Sequence, residues 1–324
     1  MTNPSSKNPY LSLETKNFID KLASEDSKPL YKLQPEEARL VLNDLQALFP
    51  IDIEAEVQNR TISTISAGNI DIKIVRPKCN TEEKLPVILY LHGGGWILGN
   101  AKTHDTLIKK LANCTKSVVI FPEYSKSPEA IYPTAINQCY AVLEYIKQNP
   151  LEFNINENKI AVAGDSAGGN MATVLAIKAK QENGPHICLQ ALFYPVTDAS
   201  MDTKSYHDFK DGPWLSKKAM EWFWDAYAPE KSLRNNPQIS PLKAEPGELK
   251  GLPQTLIITA ENDVLRDEGE EYARKLNQAG VKVINARING TIHDFMMLNA
   301  LSDTQPTKGA FTLAENFIKK ELHN

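Results

Sequence analysis

The chain carries a serine whose neighbours suit it to nucleophilic chemistry. Ser166 is the centre of the pentapeptide Gly164–Gly168, between the apolar run Lys159–Ala163 and a segment of helix-forming composition, Asn170–Gln181. This order predicts a buried strand, a tight turn and a helix, with small residues required two positions before and after the serine because backbone meets backbone there. The Ala167 amide and the helix dipole would face any oxyanion that the hydroxyl creates. Ser166 is therefore the predicted nucleophile.

A glycine-rich motif upstream could supply further hydrogen-bond donors. His92-Gly93-Gly94-Gly95-Trp96 follows the apolar run Pro86–Leu91. Three successive glycines leave their amides bare of side chains, so such a loop can offer two donors to one oxygen. A flexible surface loop is the alternative, but the strand before the motif and the apolar Trp96–Leu98 after it argue against a polar linker. The two motifs together predict a nucleophile with an oxyanion-binding loop.

A serine hydroxyl needs a base within hydrogen-bond reach, and that base needs an orienting acid. His293 lies in the loop Gly290–Phe295, after the last predicted strand, and is the histidine best placed to reach Ser166. The ring of His92 is expected to brace the glycine loop. The remaining histidines lie at a helix start, before a strand, in a predicted lid and at the chain end: His104, His186, His207 and His323.

The predicted acid is Asp263, which falls just beyond the predicted strand Thr255–Thr259. Glu261, closer to the strand, is its main rival, and Asp267 is expected to cap the following helix. Three further carboxylates are expected to form a solvated first helical turn: Glu268, Glu270 and Glu271.

Strands and helices alternate along most of the chain, which predicts a mostly parallel sheet covered on both faces, with ligands at the carboxyl ends of the strands. The predicted strands are Thr61–Ile65, Ile70–Ile74, Val87–Leu91, Val118–Phe121, Ile160–Ala163, Leu189–Tyr194, Thr255–Thr259 and Val281–Ala286. The predicted helices are Thr15–Ala23, one opening at Gln34-Pro35, Thr103–Asn113, Pro133–Gln148, one following Ser166, Lys217–Tyr227, Asp267–Gln278 and Thr307–Leu322.

One segment interrupts the alternation. Roughly sixty residues separate Tyr194 from Thr255, too many for a simple crossover, and they contain the aromatic-rich stretch Lys217–Tyr227. Together with the helical N-terminal part this stretch predicts a lid over the strand ends, and an ordinary crossover helix is the alternative. The expected organisation is a cap from residues 1–50 and 199–240 and a core from residues 51–198 and 241–324. An aromatic substrate pocket is expected from Trp96, Trp222 and Phe223, with packing inside the cap as the alternative.

Composition excludes several classes of protein. The 324 residues are 42% hydrophobic and carry a net charge of −4 without a block of basic residues. The sequence therefore lacks the basic patch that is typical of nucleic-acid-binding proteins. No apolar run reaches the ~20 residues that cross a bilayer, and residues 1–8 lack a secretory apolar region, which predicts a cytoplasmic protein without membrane contact. The chain lacks an H-E-x-x-H motif, so no metal or cofactor is expected. Four scattered cysteines are expected to be free: Cys79, Cys114, Cys139 and Cys188.

In combination these motifs resemble the hormone-sensitive-lipase-like branch of the α/β-hydrolase superfamily, the carboxylesterases with a helical cap. The resemblance runs nearly end to end, through Gln34–Ala38, the HGGGW block, Glu123–Glu129, Gly164–Gly169, Tyr194-Pro195, Asp263–Glu268 and His293–Phe295. It implies an eight-stranded, mostly parallel sheet, a triad of Ser166, Asp263 and His293, and an oxyanion hole from the amides of Gly93, Gly94 and Ala167. Two departures stand out: Ser125–Ser127 replaces a common Arg-Leu-Ala, and Asp294 stands where glycine is frequent.

The resemblance implies hydrolysis of a small-molecule ester with a short acyl chain through an acyl-enzyme, without a cofactor. An acetyl-sugar deacetylase or small-amide hydrolase would use the same triad and is the first alternative. A ligand receptor like the plant gibberellin receptors, which resemble this family but lack the catalytic histidine, is the remote one. The sequence leaves a homodimer open.

Overall fold

The computed structural model describes residues 10–24, 28–78 and 83–323. Within these ranges, eight strands form one sheet in the order β1-β2-β4-β3-β5-β6-β7-β8. The strands are β1 Glu56–Thr64, β2 Gly68–Arg76, β3 Leu85–Leu91, β4 Val118–Pro122, β5 Ile155–Asp165, β6 Leu189–Phe193, β7 Gln254–Asn262 and β8 Val283–Ile292. Only the pairings of β2 with β1 and with β4 are antiparallel; from β4 to β8 the sheet is parallel. The α/β-hydrolase fold predicted from the sequence is confirmed.

Eleven α-helices accompany the sheet in the described part of the chain. They are α1 Leu13–Ala23, α2 Pro35–Ala47, α3 Asp105–Thr115, α4 Thr134–Gln148, α5 Pro150–Phe153, α6 Ala167–Gln181, α7 Lys204–Asp208, α8 Lys217–Tyr227, α9 Pro246–Leu249, α10 Arg266–Gln278 and α11 Gln305–Leu322. α2 begins at Pro35, where the missing amide of proline costs nothing, and the Gln34 amide donates to Glu37 Oε2 at 3.3 Å. The helix predicted to begin at Gln34-Pro35 is present as α2.

The central strands are apolar because helices cover both faces of the sheet. Every residue of β3, β4 and β6 is buried, as expected for parallel strands that contact helices on two sides. The edge strands differ. β1 is mostly exposed, and β8 alternates polar and apolar residues as far as Ile292, well beyond the apolar run from which Val281–Ala286 was predicted.

The segment between β6 and β7 packs over the carboxyl ends of the strands. The Trp96 ring, in the loop after β3, stacks on Tyr227 of α8 with centroids 4.1 Å apart. Trp214, just before α8, lies 5.8 Å from Phe18 of α1, centroid to centroid. The segment after β6 and the N-terminal helices therefore meet above the same edge of the sheet, as a cap requires. The division into residues 1–50, 51–198, 199–240 and 241–324 remains a prediction.

The structure describes only some of the residues behind two expectations, that the cysteines are free and that the chain lacks membrane contact. Cys114, Cys139 and Cys188 are free thiols, whereas Cys79 and residues 1–8 lie outside the described residues. Within the described ranges, no helix combines the length and the apolarity needed to span a bilayer.

Candidate active site

Ser166 lies in a strained turn between β5 and α6. Its backbone adopts φ 52° and ψ −120°, a conformation that L-residues avoid. Where such strained conformations do occur, they are found mainly at functional sites. The turn leaves no room beside it: a Cβ on Gly164 would lie 2.4 Å from Gly168 O, and one on Gly168 would lie 2.0 Å from Leu91 O. The structure thus explains why the pentapeptide needs glycine at both positions.

The structure brings Ser166, His293 and Asp263 into one hydrogen-bonded line. His293 Nε2 is 2.9 Å from Ser166 Oγ, and His293 Nδ1 is 2.7 Å from Asp263 Oδ2. The second oxygen of Asp263 accepts the Leu265 amide at 2.9 Å, which fixes the carboxylate. All three side chains are buried. In this line an imidazole can take the serine proton while the carboxylate holds its ring and stabilises the imidazolium.

The two rival acids serve other parts of the fold. Glu261 Oε2 accepts the Gly290 amide at 2.7 Å, which ties the end of β7 to β8. Asp267 Oδ2 accepts the Ser205 amide at 2.7 Å, at the start of α7. Asp267 therefore caps α7, not its own helix α10 as the sequence suggested.

The expectation of a solvated first turn in α10 is wrong for Glu268. Its side chain is fully buried and accepts the Thr197 amide at 2.6 Å and the Asp198 amide at 3.2 Å. Burial raises the pKa of Glu268 well above its ordinary value, against those two hydrogen bonds. Glu270 is not free in solvent either, because its carboxylate pairs with Arg287 at 2.7 Å. The helical period places Glu268 on the face that α10 turns toward the core.

The glycine loop offers a different set of amides from the one expected. The Gly93 amide donates to Asp165 Oδ1 at 3.0 Å, so it is already engaged and the expectation that it binds an oxyanion must be corrected. In the described part of the chain, no acceptor takes the amides of Gly94, Gly95 and Ala167. Gly94 and Gly95 have φ values of 99° and 59°, which only glycine adopts without strain. Gly95, not Gly93, is the second free donor of the loop.

Asp165, the residue before the predicted nucleophile, is a site feature that the sequence did not single out. Its fully buried carboxylate accepts the Tyr90 hydroxyl at 2.7 Å, and its Oδ2 lies 3.3 Å from His104 Nε2. Burial alone would raise the pKa of Asp165, but the paired His104 and the hydrogen bonds lower it overall. Burial alone would lower the pKa of His104, but the neighbouring Asp165 outweighs this effect, so the pKa of His104 is raised overall. A charged residue directly after the apolar, buried run Ile160–Gly164 was the available signal.

The His92 ring supports the glycine loop, as expected. Its Nδ1 is 2.8 Å from Gly93 O, and the ring stacks on Tyr124 at 4.1 Å and on Phe121 at 5.2 Å between centroids. Burial lowers the pKa of His92 well below its ordinary value, so the ring is neutral. It is a packing group beneath the loop.

Two carboxylates act on the His293 imidazole. Burial alone would lower the pKa of His293, but Asp263 and then Asp294 more than offset it and raise it to about 9. Asp294 Oδ1 lies 3.3 Å from His293 Nε2, and Asp294 Oδ2 accepts the Trp214 indole at 2.9 Å. Asp294 has φ 65°, in the left-handed region that glycine adopts more readily than other residues.

The aromatic residues expected in a pocket line the boundary between α8 and the glycine loop. Trp96 is almost completely buried against Trp224 and Tyr227. The Phe223 ring covers Gly95 so closely that a Cβ there would lie 2.1 Å from it. Trp222 is half-buried, with its ring 5.1 Å from that of Phe223. Contact with substrate by Trp96, Trp222 and Phe223 remains a prediction.

Known proteins resemble the chain over nearly its whole length. A family model described as the alpha/beta hydrolase fold matches residues 88–297. The solved structure of a thermostable esterase from Pseudomonas putida ECU1011 is 44% identical, with a TM-score of 0.95, and covers 98% of this chain and 99% of that one. A carboxylesterase of Mycobacterium tuberculosis is 34% identical over 81% of this chain and 82% of its own length. An ethyl acetate hydrolase of Pseudomonas putida is 33% identical over 84% of this chain and 86% of its own.

Fold, family match and relatives agree with the resemblance seen in the sequence motifs. The chain belongs to the hormone-sensitive-lipase-like branch of the α/β-hydrolase superfamily and is a carboxylic ester hydrolase.

Proposed function

We propose that Ser166, His293 and Asp263 hydrolyse short-chain acyl esters through an acyl-enzyme. The observation that carries this proposal is the continuous line of hydrogen-bond distances, 2.9 Å from Ser166 Oγ to His293 Nε2 and 2.7 Å from Nδ1 to Asp263 Oδ2. Ser166 Oγ attacks the ester carbonyl carbon while His293 Nε2 takes the hydroxyl proton. The tetrahedral intermediate then expels the alcohol, which leaves with that proton, and the acyl group stays on Ser166.

Water completes the cycle by the same steps. His293 removes a proton from the attacking water, a second tetrahedral intermediate forms, and Ser166 recovers its proton as the carboxylic acid departs. The negative oxygen of each intermediate would bind the amides of Gly94, Gly95 and Ala167. One free donor at the start of α6 and two in the loop after β3, the parallel neighbour of β5, are the expected arrangement for stabilising that charge.

A short acyl chain is supported by the contact between α8 and the glycine loop. Phe223 lies directly on Gly95, so the space beside the proposed oxyanion hole is bounded by an aromatic ring. The similarity to an ethyl acetate hydrolase points the same way. A panel of acetate, butyrate, octanoate and palmitate esters should show the highest kcat/KM for the two shortest chains, and Phe223→Ala should extend the range. A maximum at palmitate would contradict the short-chain assignment.

The nucleophile is tested with Ser166→Ala, which should keep the fold and lose at least about 10³-fold in kcat. A fluorophosphonate should label the wild-type protein and leave Ser166→Ala unlabelled. Ser125→Ala is the matched control, because Ser125 is exposed and, among the residues that the structure describes, its hydroxyl bonds only to Gln138. Retained turnover in Ser166→Ala would refute the assignment. Faster turnover of an anilide than of the simple acyl esters would favour an amidase, and faster turnover of an acetylated sugar than of those esters would favour a deacetylase.

A further inference from the structure

Asp294 places a carboxylate beside the atom that would hand a proton to the departing alcohol. Its Oδ1 lies 3.3 Å from His293 Nε2, the nitrogen that is 2.9 Å from Ser166 Oγ. This inference rests on the proposed function, in which the leaving oxygen comes within about 3 Å of Nε2. Asp294 Oδ1 is then at most roughly 6 Å from that oxygen. A charge on the alcohol part of the ester would lie within the range of this carboxylate.

The other carboxylates near His293 are already occupied. Asp263 binds the His293 Nδ1 edge and the Leu265 amide. Asp165 binds Tyr90 and the Gly93 amide and pairs with His104, as described above. Asp294 Oδ1 differs, since it accepts no hydrogen bond from any residue that the structure describes. Among these carboxylates it is the buried oxygen whose charge no hydrogen bond from a described residue offsets.

The surroundings of Asp294 also favour a positive charge. The half-buried Trp214 indole donates to Asp294 Oδ2 at 2.9 Å, which fixes the carboxylate and leaves an aromatic ring beside it. Aromatic faces attract ammonium and quaternary ammonium groups, so the ring and the carboxylate favour the same kind of ligand. A substrate carboxylate would meet like charge in a poorly screened site.

We propose that Asp294 makes this esterase selective for the charge on the alcohol part of its substrate. Esters of amino alcohols or quaternary ammonium alcohols are favoured over their neutral isosteres, and esters of hydroxy acids are disfavoured. Asp294 is a specificity-determining residue in this proposal and takes no part in bond making.

The test compares three acetates: acetylcholine, its neutral isostere 3,3-dimethylbutyl acetate, and the carboxylate-bearing acetoxyacetate. Burial raises the pKa of Asp294, against His293 and the Trp214 hydrogen bond, so assays are run at about pH 8, where an aspartate is ionised. The wild-type kcat/KM for acetylcholine should exceed that for the neutral acetate by about fivefold or more, and acetoxyacetate should fall below the neutral acetate by a similar factor. Added salt should reduce both ratios.

The variant Asp294→Asn should lower the ratio for acetylcholine and raise the ratio for acetoxyacetate, each by about the factor that the carboxylate contributes. Asparagine tolerates positive φ and keeps an acceptor for Trp214, so it removes the charge with little other change. Asp294→Gly suits the same backbone and serves if the first variant does not fold. Asp303→Asn is the matched control, because it removes one charge at an exposed residue paired with Lys308 and should leave the ratios unchanged. Any change in His293 basicity affects all three substrates alike and cancels in the ratios.

The outcomes separate this inference from the proposed function. Equal ratios in wild type and Asp294→Asn, or a wild-type preference for the neutral acetate, would overturn the charge selectivity while leaving the esterase mechanism intact. Failure of the wild-type protein to hydrolyse any of the acetates would overturn both.

Discussion

Replacing Ser166 with glycine should yield a more stable protein than replacing it with alanine, although both variants lack the proposed nucleophile. Ser166 has φ 52° and ψ −120°, a conformation that costs an L-residue about 1–3 kcal/mol and that glycine adopts freely. Alanine keeps this strain and glycine removes it. Glycine also loses more conformational freedom on folding and differs from alanine as a helix N-cap, so a reference position is needed.

Ser216 provides that reference. It is the N-cap of α8, as Ser166 is of α6, but it has the ordinary backbone values φ −106° and ψ 158°. Subtracting the glycine-minus-alanine difference at Ser216 from that at Ser166 removes the chain-entropy and capping contributions. The remainder is the strain, about 1–3 kcal/mol in the free energy of unfolding. For a chain of 324 residues, that corresponds to about 1.5–4 °C in Tm.

Calorimetric or fluorescence melting of the four single variants measures this double difference, and circular dichroism checks that each has folded. Equal glycine-minus-alanine differences at Ser166 and Ser216 would refute the reasoning, because the turn would then hold no strain for glycine to relieve.

Four further results are expected. kcat/KM should increase as the pH rises through the pKa of His293, about 9, because His293 must be neutral to act as the base. An increase centred near pH 6.5 instead would contradict the effect of Asp263 and Asp294 on this pKa. Since this pKa is raised on folding, protonation of His293 stabilises the protein fully below about pH 6.5, and chemical denaturation should show that contribution disappearing as pH rises through about 9. Asp165→Asn leaves buried His104 without its partner and should lower the free energy of unfolding by about 3–5 kcal/mol; a urea midpoint close to wild type would show that the pair is dispensable. Gly168→Ala puts a Cβ 2.0 Å from Leu91 O, so loss of soluble, fluorophosphonate-reactive protein is expected, and normal labelling would count against the tight packing.

The local motifs made much of this site predictable from sequence. The strand, turn and helix around Ser166 depend on neighbouring residues, and the serine is found where that order predicts it. Asp263 and His293 could be selected because parallel strands place the loops that follow them at one edge of the sheet. The aromatic helix Lys217–Tyr227 has the same bounds in the sequence prediction and in the structure, since its apolar face repeats with helical period.

The misassigned residues depend on contacts between distant segments. Gly93 is not a free donor because Asp165, on another strand, takes its amide, and three identical residues in sequence do not reveal which of them is engaged. Glu268 resembles any acidic residue in a first helical turn, but the loop after β6 brings two amides against it. In both cases a buried hydrogen bond across the fold decides the role of the residue.

The hydrogen bond from the Gly93 amide to Asp165 has a consequence for how such enzymes can be recombined. The residue beside the proposed nucleophile holds the donor loop of another strand, with Tyr90 and His104 bound to the same carboxylate. A segment carrying the serine turn can therefore be exchanged with that of a homologue only where the two proteins have the same residues at these four positions. Chimaeras that inherit both segments from one parent should retain turnover, and crossovers between parents that differ at any of the four should need compensating changes there.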